Sequence, residues 1–285
     1  MQAYDAGRWL LLATLWSLQF LFMRVSVPVF GIAPVAEARA LFAALFLVPW
    51  VIWFARQRIA PLEHWRDHLA VGVVNNVLPF ACFAAAAAAL PAGYVAIING
   101  LVPLWSAVFA ALILKEPLGL RPAVGFALGV AGVALIVNLG PVELNTRTAL
   151  GALAGVAGAA AWGYAGVMIK QRYGRMPPMG LAAGSIAYAT LIMAPLWSLT
   201  PPPAAWTAPA LVSLVALGVL CSGFAYLPFF TLIRDIGPAR TLSVGLMIPV
   251  LGVAWGWLFL DEAVTLPMLA GAALVVGSLA LVLRR

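Results

Sequence analysis

The side chains that can do chemistry inside the apolar stretches of this chain are almost all neutral. On a helical period, Trp16, Gln19, Phe20 and Met23 share one face, and Asn76, Phe80 and Phe83 share another, with Asn75 beside them. Ser222, Tyr226 and Phe229 take the corresponding places in the second half of the chain, where Trp162 answers Trp16. Amides and hydroxyls of this kind donate and accept hydrogen bonds without titrating. Aromatic faces accept apolar groups and attract an ammonium. That is the chemistry of holding a small amphipathic solute. Catalysis would need paired titratable groups at depth, whereas both histidines and nearly all carboxylates fall in loops or at segment ends, so no enzyme is expected. Two blander readings stay open: hydrogen bonding between helices for Gln19, Asn75, Asn76 and Ser222, and ordinary packing for Trp16 and Trp162.

These residues ride on a sequence written twice. The stretch INGLVPLWSAVFAALILKEPL, from Ile98 to Leu118, returns as VGLMIPVLGVAWGWLFLDEAV from Val244 to Val264, placing Pro103 with Pro249 and Glu116 with Glu262 at one gapless offset of 146 residues. The same offset pairs Trp16 with Trp162, Arg24 with Lys170 and Gly72 with Gly218, as expected for two copies of one unit, residues 1–144 and 145–285. A proline inside a helix cannot donate to the carbonyl four residues earlier. Pro103, Pro249 and Pro79 therefore free the carbonyls of Asn99, Gly245 and Asn75. Pro103 and Pro249 read either as packing kinks or as gating bends, and Asn99 joins the candidate binding residues.

Composition places the whole in a bilayer. Of 285 residues, 65% are hydrophobic and 9% charged, against about 25% charged in soluble domains; mean hydropathy is +1.05. Ten segments, approximately 9–27, 34–54, 68–89, 92–114, 122–139, 149–169, 179–199, 209–233, 238–260 and 267–283, are long enough to cross a hydrocarbon core as helices. The first is too long for a signal peptide and has its repeat partner in mid-chain. With the N-terminus inside, 13 of the 16 Lys and Arg fall on the cytoplasmic side, the exceptions being Arg24, Arg39 and Arg147. Both termini are thus expected in the cytoplasm, and the formal charge of +7 reads as topology rather than nucleic-acid binding. Five helices per copy is odd, so the second copy enters the membrane upside down, an arrangement common in secondary transporters with a midplane site.

Charges within the apolar runs are few. Arg24 ends the first segment, and Glu37 and Arg39 lie in the first turns of the second, towards the outer face; a structural Arg24–Glu37 pair is favoured there over a ligand role. With no acid or cation expected deep in the core, proton antiport and phosphorylated-sugar substrates are disfavoured. Glu116 and Glu262 are expected to brace the turns that follow their helices. His64 and His68 read as an interfacial turn rather than a metal site. Cys82 and Cys221 lack metal-ligand spacing, and no cofactor is expected.

Pro34 followed by Arg39 in PVAEARALFAALFLVPW, Pro103 with Glu116, and the run from Phe224 to Glu262 together resemble the EamA branch of the drug/metabolite transporter superfamily. The resemblance covers essentially the whole chain. It implies an all-α integral membrane protein with ten transmembrane helices as two inverted five-helix repeats around a central cavity. It also implies export of small metabolites, amino acids foremost, from the cytoplasm of a bacterium across its inner membrane. A multidrug or toxic-cation efflux pump is the rival expectation. The expected partners are a small-molecule substrate and the lipid bilayer, with the chain acting as a monomer.

Overall fold

The computed structural model describes residues 3–60, 62–115, 120–139, 143, 145–171, 176–198, 200, 205–237 and 241–283. Glu116 and the loop cations Arg172, Arg175, Arg240, Arg284 and Arg285 lie outside them. Helical segments succeed one another along the chain: α1 (Ala3–Phe30), α2 (Ile32–Phe54), α3 (Trp65–Ala89), α4 (Ala92–Leu114), α5 (Leu120–Leu139), α6 (Thr146–Gln171), α7 (Pro178–Ser198), α8 (Ala208–Ile236), α9 (Ser243–Leu260) and α10 (Leu266–Leu283). Among the described residues, eight helices are long and apolar enough to cross a membrane. The apolar stretches Ala123–Ile136 in α5 and Leu266–Leu281 in α10 are shorter. In lipid each backbone N–H and C=O must be satisfied within the protein, which is why such sequences take up helix throughout.

The helices pack in a defined pattern: α1 lies against α8 and α9, α6 against α3 and α4, α2 against α7 and α8, α7 against α2 and α3, α4 against α9, and α5 against α10. Small residues permit the closest of these approaches. Gly252 of α9 faces Ala96 of α4 with no room for a side chain, and Gly151 and Gly155 seat α6 on α3 and α4.

Three departures from the regular α-helix shape the interior. Wider π-helical turns interrupt α3 at Gly72–Val77 and α8 at Val219–Phe224, and such turns often mark functional positions. α4 breaks between Asn99 and Val102, where Gly100 and Leu101 bond back only three residues, to the carbonyls of Ile97 and Ile98. α9 begins with a 3₁₀ turn, Ser243–Leu246. Pro103 and Pro249 each sit just past their tightened turn. The Pro249 ring lies 3.4 Å from where a Cβ on Gly100 would be, and the Pro103 ring 4.0 Å from that position on Gly245. Both α4 and α9 end on a left-handed residue, Lys115 at φ 55° and Asp261 at φ 52°. Past Asp261, the Glu262 carboxylate returns to accept the N–H groups of Ala92 and Gly93 at 2.6 and 3.1 Å. It thereby caps the start of α4 with an anion at a helix N-terminus, bracing a distant helix where the turn after its own was expected.

Two expectations are corrected here. His68 is not on an exposed turn. It is fully buried, its ring lies over Gly184 and stacks on Tyr188, and its Nε2 donates to the Ile59 carbonyl at 2.8 Å. The turn bearing it is folded under α7, which its position near a helix start did not reveal. Arg24 does not pair with Glu37. Arg24 donates to the carbonyl of Ala87, and Arg147 to that of Ala88. Both cations satisfy the last turn of α3, where unpaired carbonyls concentrate negative charge.

Candidate solute-binding site

Five helices converge on a polar cluster whose hub is Arg39 of α2. This residue is only 3% exposed, enclosed by the bundle. Its Nε donates to Ser222 Oγ of α8 at 2.7 Å and its Nη2 to Gln19 Oε1 of α1 at 2.7 Å. Its guanidinium lies 3.9 Å from the centre of the Phe80 ring of α3 and 5.9 Å from that of Trp162 of α6. The π-turn in α8 makes this possible: Ser222 reaches back five residues to donate to the Leu217 carbonyl, leaving its oxygen free to accept from Arg39. Gln19 is likewise oriented, its Nε2 donating to the Trp16 carbonyl at 2.7 Å. A cation therefore stands deep in the core after all. Arg39 is the eighth residue of α2, about 10 Å from its start at 1.5 Å per residue. An arginine inside an apolar run must face the bundle interior or a wet cavity, and that signal was present in the sequence.

Beside the hub lies a second set of bonds. Asn75 Nδ2 donates to Asn76 Oδ1 at 3.2 Å and to the Tyr226 hydroxyl at 3.3 Å. Asn76 Nδ2 donates to Ser185 Oγ of α7 at 3.4 Å, a partner the sequence did not suggest. The Asn75 carbonyl, freed by Pro79 as expected, accepts the Trp162 indole N–H at 2.8 Å. Trp162 stacks on Phe83 at 4.7 Å, Trp16 packs on Phe229 at 5.2 Å, and Tyr226 stacks on Phe230 at 5.8 Å. Gln19, Asn76, Phe80 and Ser222 are buried, whereas Trp16, Asn75, Trp162 and Tyr226 are half-buried. Among the described residues, Asn75 Oδ1 accepts no hydrogen bond and the Tyr226 hydroxyl donates none. Asn75 therefore keeps an open acceptor and Tyr226 an open donor, with the Phe229 and Phe230 rings beside Tyr226.

Asn99, Pro103 and Pro249 do not join this cluster. They lie at the crossing of α4 and α9, where Asn99 is 7% exposed and its Oδ1 has no hydrogen-bond partner among the described residues. A separate cavity of about 590 Å³ opens where α2 starts, α3 ends and α6 starts, lined by Ile32, Ala85, Ala88 and Arg147 among others.

The EamA-like transporter family matches twice along the chain, over residues 8–138 and 149–284. The chain belongs to this family. Similar proteins include the uncharacterized transporter YvbV of Bacillus subtilis, 28% identical over 87% of this chain and 81% of its own length. Protein PecM of Dickeya dadantii is 24% identical over 76% of this chain and 73% of its own length. A protein crystal structure shares the fold, with a TM-score of 0.68 at 20% identity, covering 99% of this chain and 96% of the other. This EamA-like protein is thus a multi-pass membrane transporter of small molecules.

Proposed function

We propose that this EamA-like transporter exports small zwitterionic or amphipathic metabolites, amino acids above all, from the bacterial cytoplasm across the inner membrane. In this reading ten helices cross the bilayer, both termini are cytoplasmic, and residues 1–144 and 145–285 form inverted halves that rock about a central cavity. The chain acts as a monomer. Gln19, Asn75, Asn76, Ser222 and Tyr226 hold the polar ends of the solute, Trp16, Phe80 and Trp162 take its side chain, and the breaks at Asn99–Pro103 and before Pro249 act as hinges.

The observation that carries this reading is the open pair of Asn75 Oδ1 and the Tyr226 hydroxyl, half-buried among aromatic rings within an apolar bundle. The two-half arrangement is supported by the packing pattern. Exchanging each helix of the first five for its counterpart in the second maps α1–α8 onto α6–α3, α1–α9 onto α6–α4 and α2–α8 onto α7–α3. The left-handed residues Lys115 and Asp261 correspond under the same exchange.

Counterflow in proteoliposomes with a panel of labelled amino acids tests the substrate class. At least one should exchange, and Trp16→Ala and Trp162→Ala should each reduce that flux at unchanged protein density. Exchange of a quaternary ammonium with no amino acid exchanged would replace this reading with cation efflux.

A further inference from the structure

We infer that Arg39 is the receptor for a carboxylate on the transported solute, and that the Gln19 Oε1 holds the place that the carboxylate takes. This rests on the reading of the polar cluster as the solute site and names the charge that the site selects.

Three observations lead there. First, Arg39 is 3% exposed, yet none of the ion pairs among the described residues involves it. Its partners are a serine hydroxyl, a glutamine carbonyl, a thioether and the face of Phe80. A buried charge ordinarily has an opposite charge beside it, so this site lacks one anion. Second, the guanidinium has five N–H groups. One is held by Ser222, one by Gln19, and one lies 3.9 Å from the Met23 sulfur. Each terminal nitrogen keeps an N–H to spare, leaving two donors for a carboxylate. Third, the Gln19 Oε1 is a neutral acceptor, on an amide held otherwise only by its Nε2 donating to the Trp16 carbonyl, and a carboxylate outcompetes it because charge-assisted bonds are stronger.

The same geometry disfavours the rival solute. A permanent cation entering the cluster would meet an uncompensated positive charge in a medium that screens poorly. An amino acid avoids this by placing its carboxylate on Arg39, beside Phe80, and its ammonium towards Asn75 Oδ1, with Trp162 near both ends.

The test uses the full chain in nanodiscs of phosphatidylcholine alone, so that no anionic lipid can serve as the carboxylate. Binding of phenylacetate and L-phenylalanine is compared with that of phenylacetamide and L-phenylalaninamide by calorimetry and by thermal shift. The acids should bind roughly tenfold or more tighter than their amides, and Arg39→Gln should bring that ratio to about one. Arg39→Lys, which keeps the charge but not the fork, should retain part of it. Gln19→Glu guards against a variant that fails to fold: it supplies the missing anion from within and should raise the unfolding temperature while abolishing acid binding. Equal binding of acids and amides to the wild type, or undiminished discrimination in Arg39→Gln or Gln19→Glu, overturns the inference. Amino-acid counterflow that survives Arg39→Gln would sink Arg39 as receptor but keep the exporter reading. Arg39-dependent acid binding without amino-acid counterflow would do the reverse.

Discussion

The indole of Trp162 donates its N–H to the backbone carbonyl of Asn75, 2.8 Å away and three sequence segments earlier. Pro79 leaves that carbonyl without its helical partner, and it lies within the π-turn at Gly72–Val77. One tryptophan thus stabilises the bulge, and the bulge aims the Asn75 amide at Tyr226.

Trp162→Phe should keep the stack on Phe83 but lose this bond, leaving a half-buried carbonyl unpaired. The expected cost is about 1–3 kcal/mol, seen as a lower unfolding temperature in detergent. Counterflow should fall with it. Trp162→Ala should lose more, because the ring contact goes too. Equal stability of the wild type and Trp162→Phe would show that the bulge holds itself.

Glu262 is predicted to matter for folding and not for solute recognition. Its carboxylate holds the first two N–H groups of α4, so Glu262→Ala leaves them unpaired and costs about 1–2 kcal/mol. Thermal unfolding measures this. Affinity for solute in the surviving folded fraction should match the wild type.

Gly184→Ala should destabilise α7 against α3. A Cβ at that position runs into the His68 ring, which is walled in by Tyr188 and held by the Ile59 carbonyl. Overpacking of this kind costs about 1–3 kcal/mol. The double variant Gly184→Ala with His68→Ala should recover part of it, and no recovery would place the clash elsewhere.

Pro103→Ala and Pro249→Ala separate the two readings of the broken helices. Alanine restores a backbone donor, so if the breaks are hinges, transport should slow several-fold while the unfolding temperature holds or rises. Unchanged turnover in both variants would leave them as packing kinks.

Each of the three cations that fall outside the expected cytoplasmic charge bias has a protein partner: Arg24 and Arg147 on the last carbonyls of α3, Arg39 on Gln19 and Ser222. Their exceptional positions were readable from the chain; their partners were not. Arg39 and Ser222 lie 183 residues apart, and nothing local in either segment names the other.

Local order was what the amino-acid sequence could determine alone. The apolar runs, the membrane as solvent, the doubled proline landmarks and the carbonyl freed by Pro79 all follow from composition, period and proline chemistry within a few helical turns. How each helix is rotated and which faces meet was decided by tertiary packing. That packing buried His68, drew Arg39 inwards, set Asn99 apart from the other polar groups and brought Ser185 to Asn76. The physical reason is that a helical pattern specifies which residues share a face, whereas the depth and partner of that face depend on small-residue seams such as Ala96 with Gly252, formed between segments far apart in the chain.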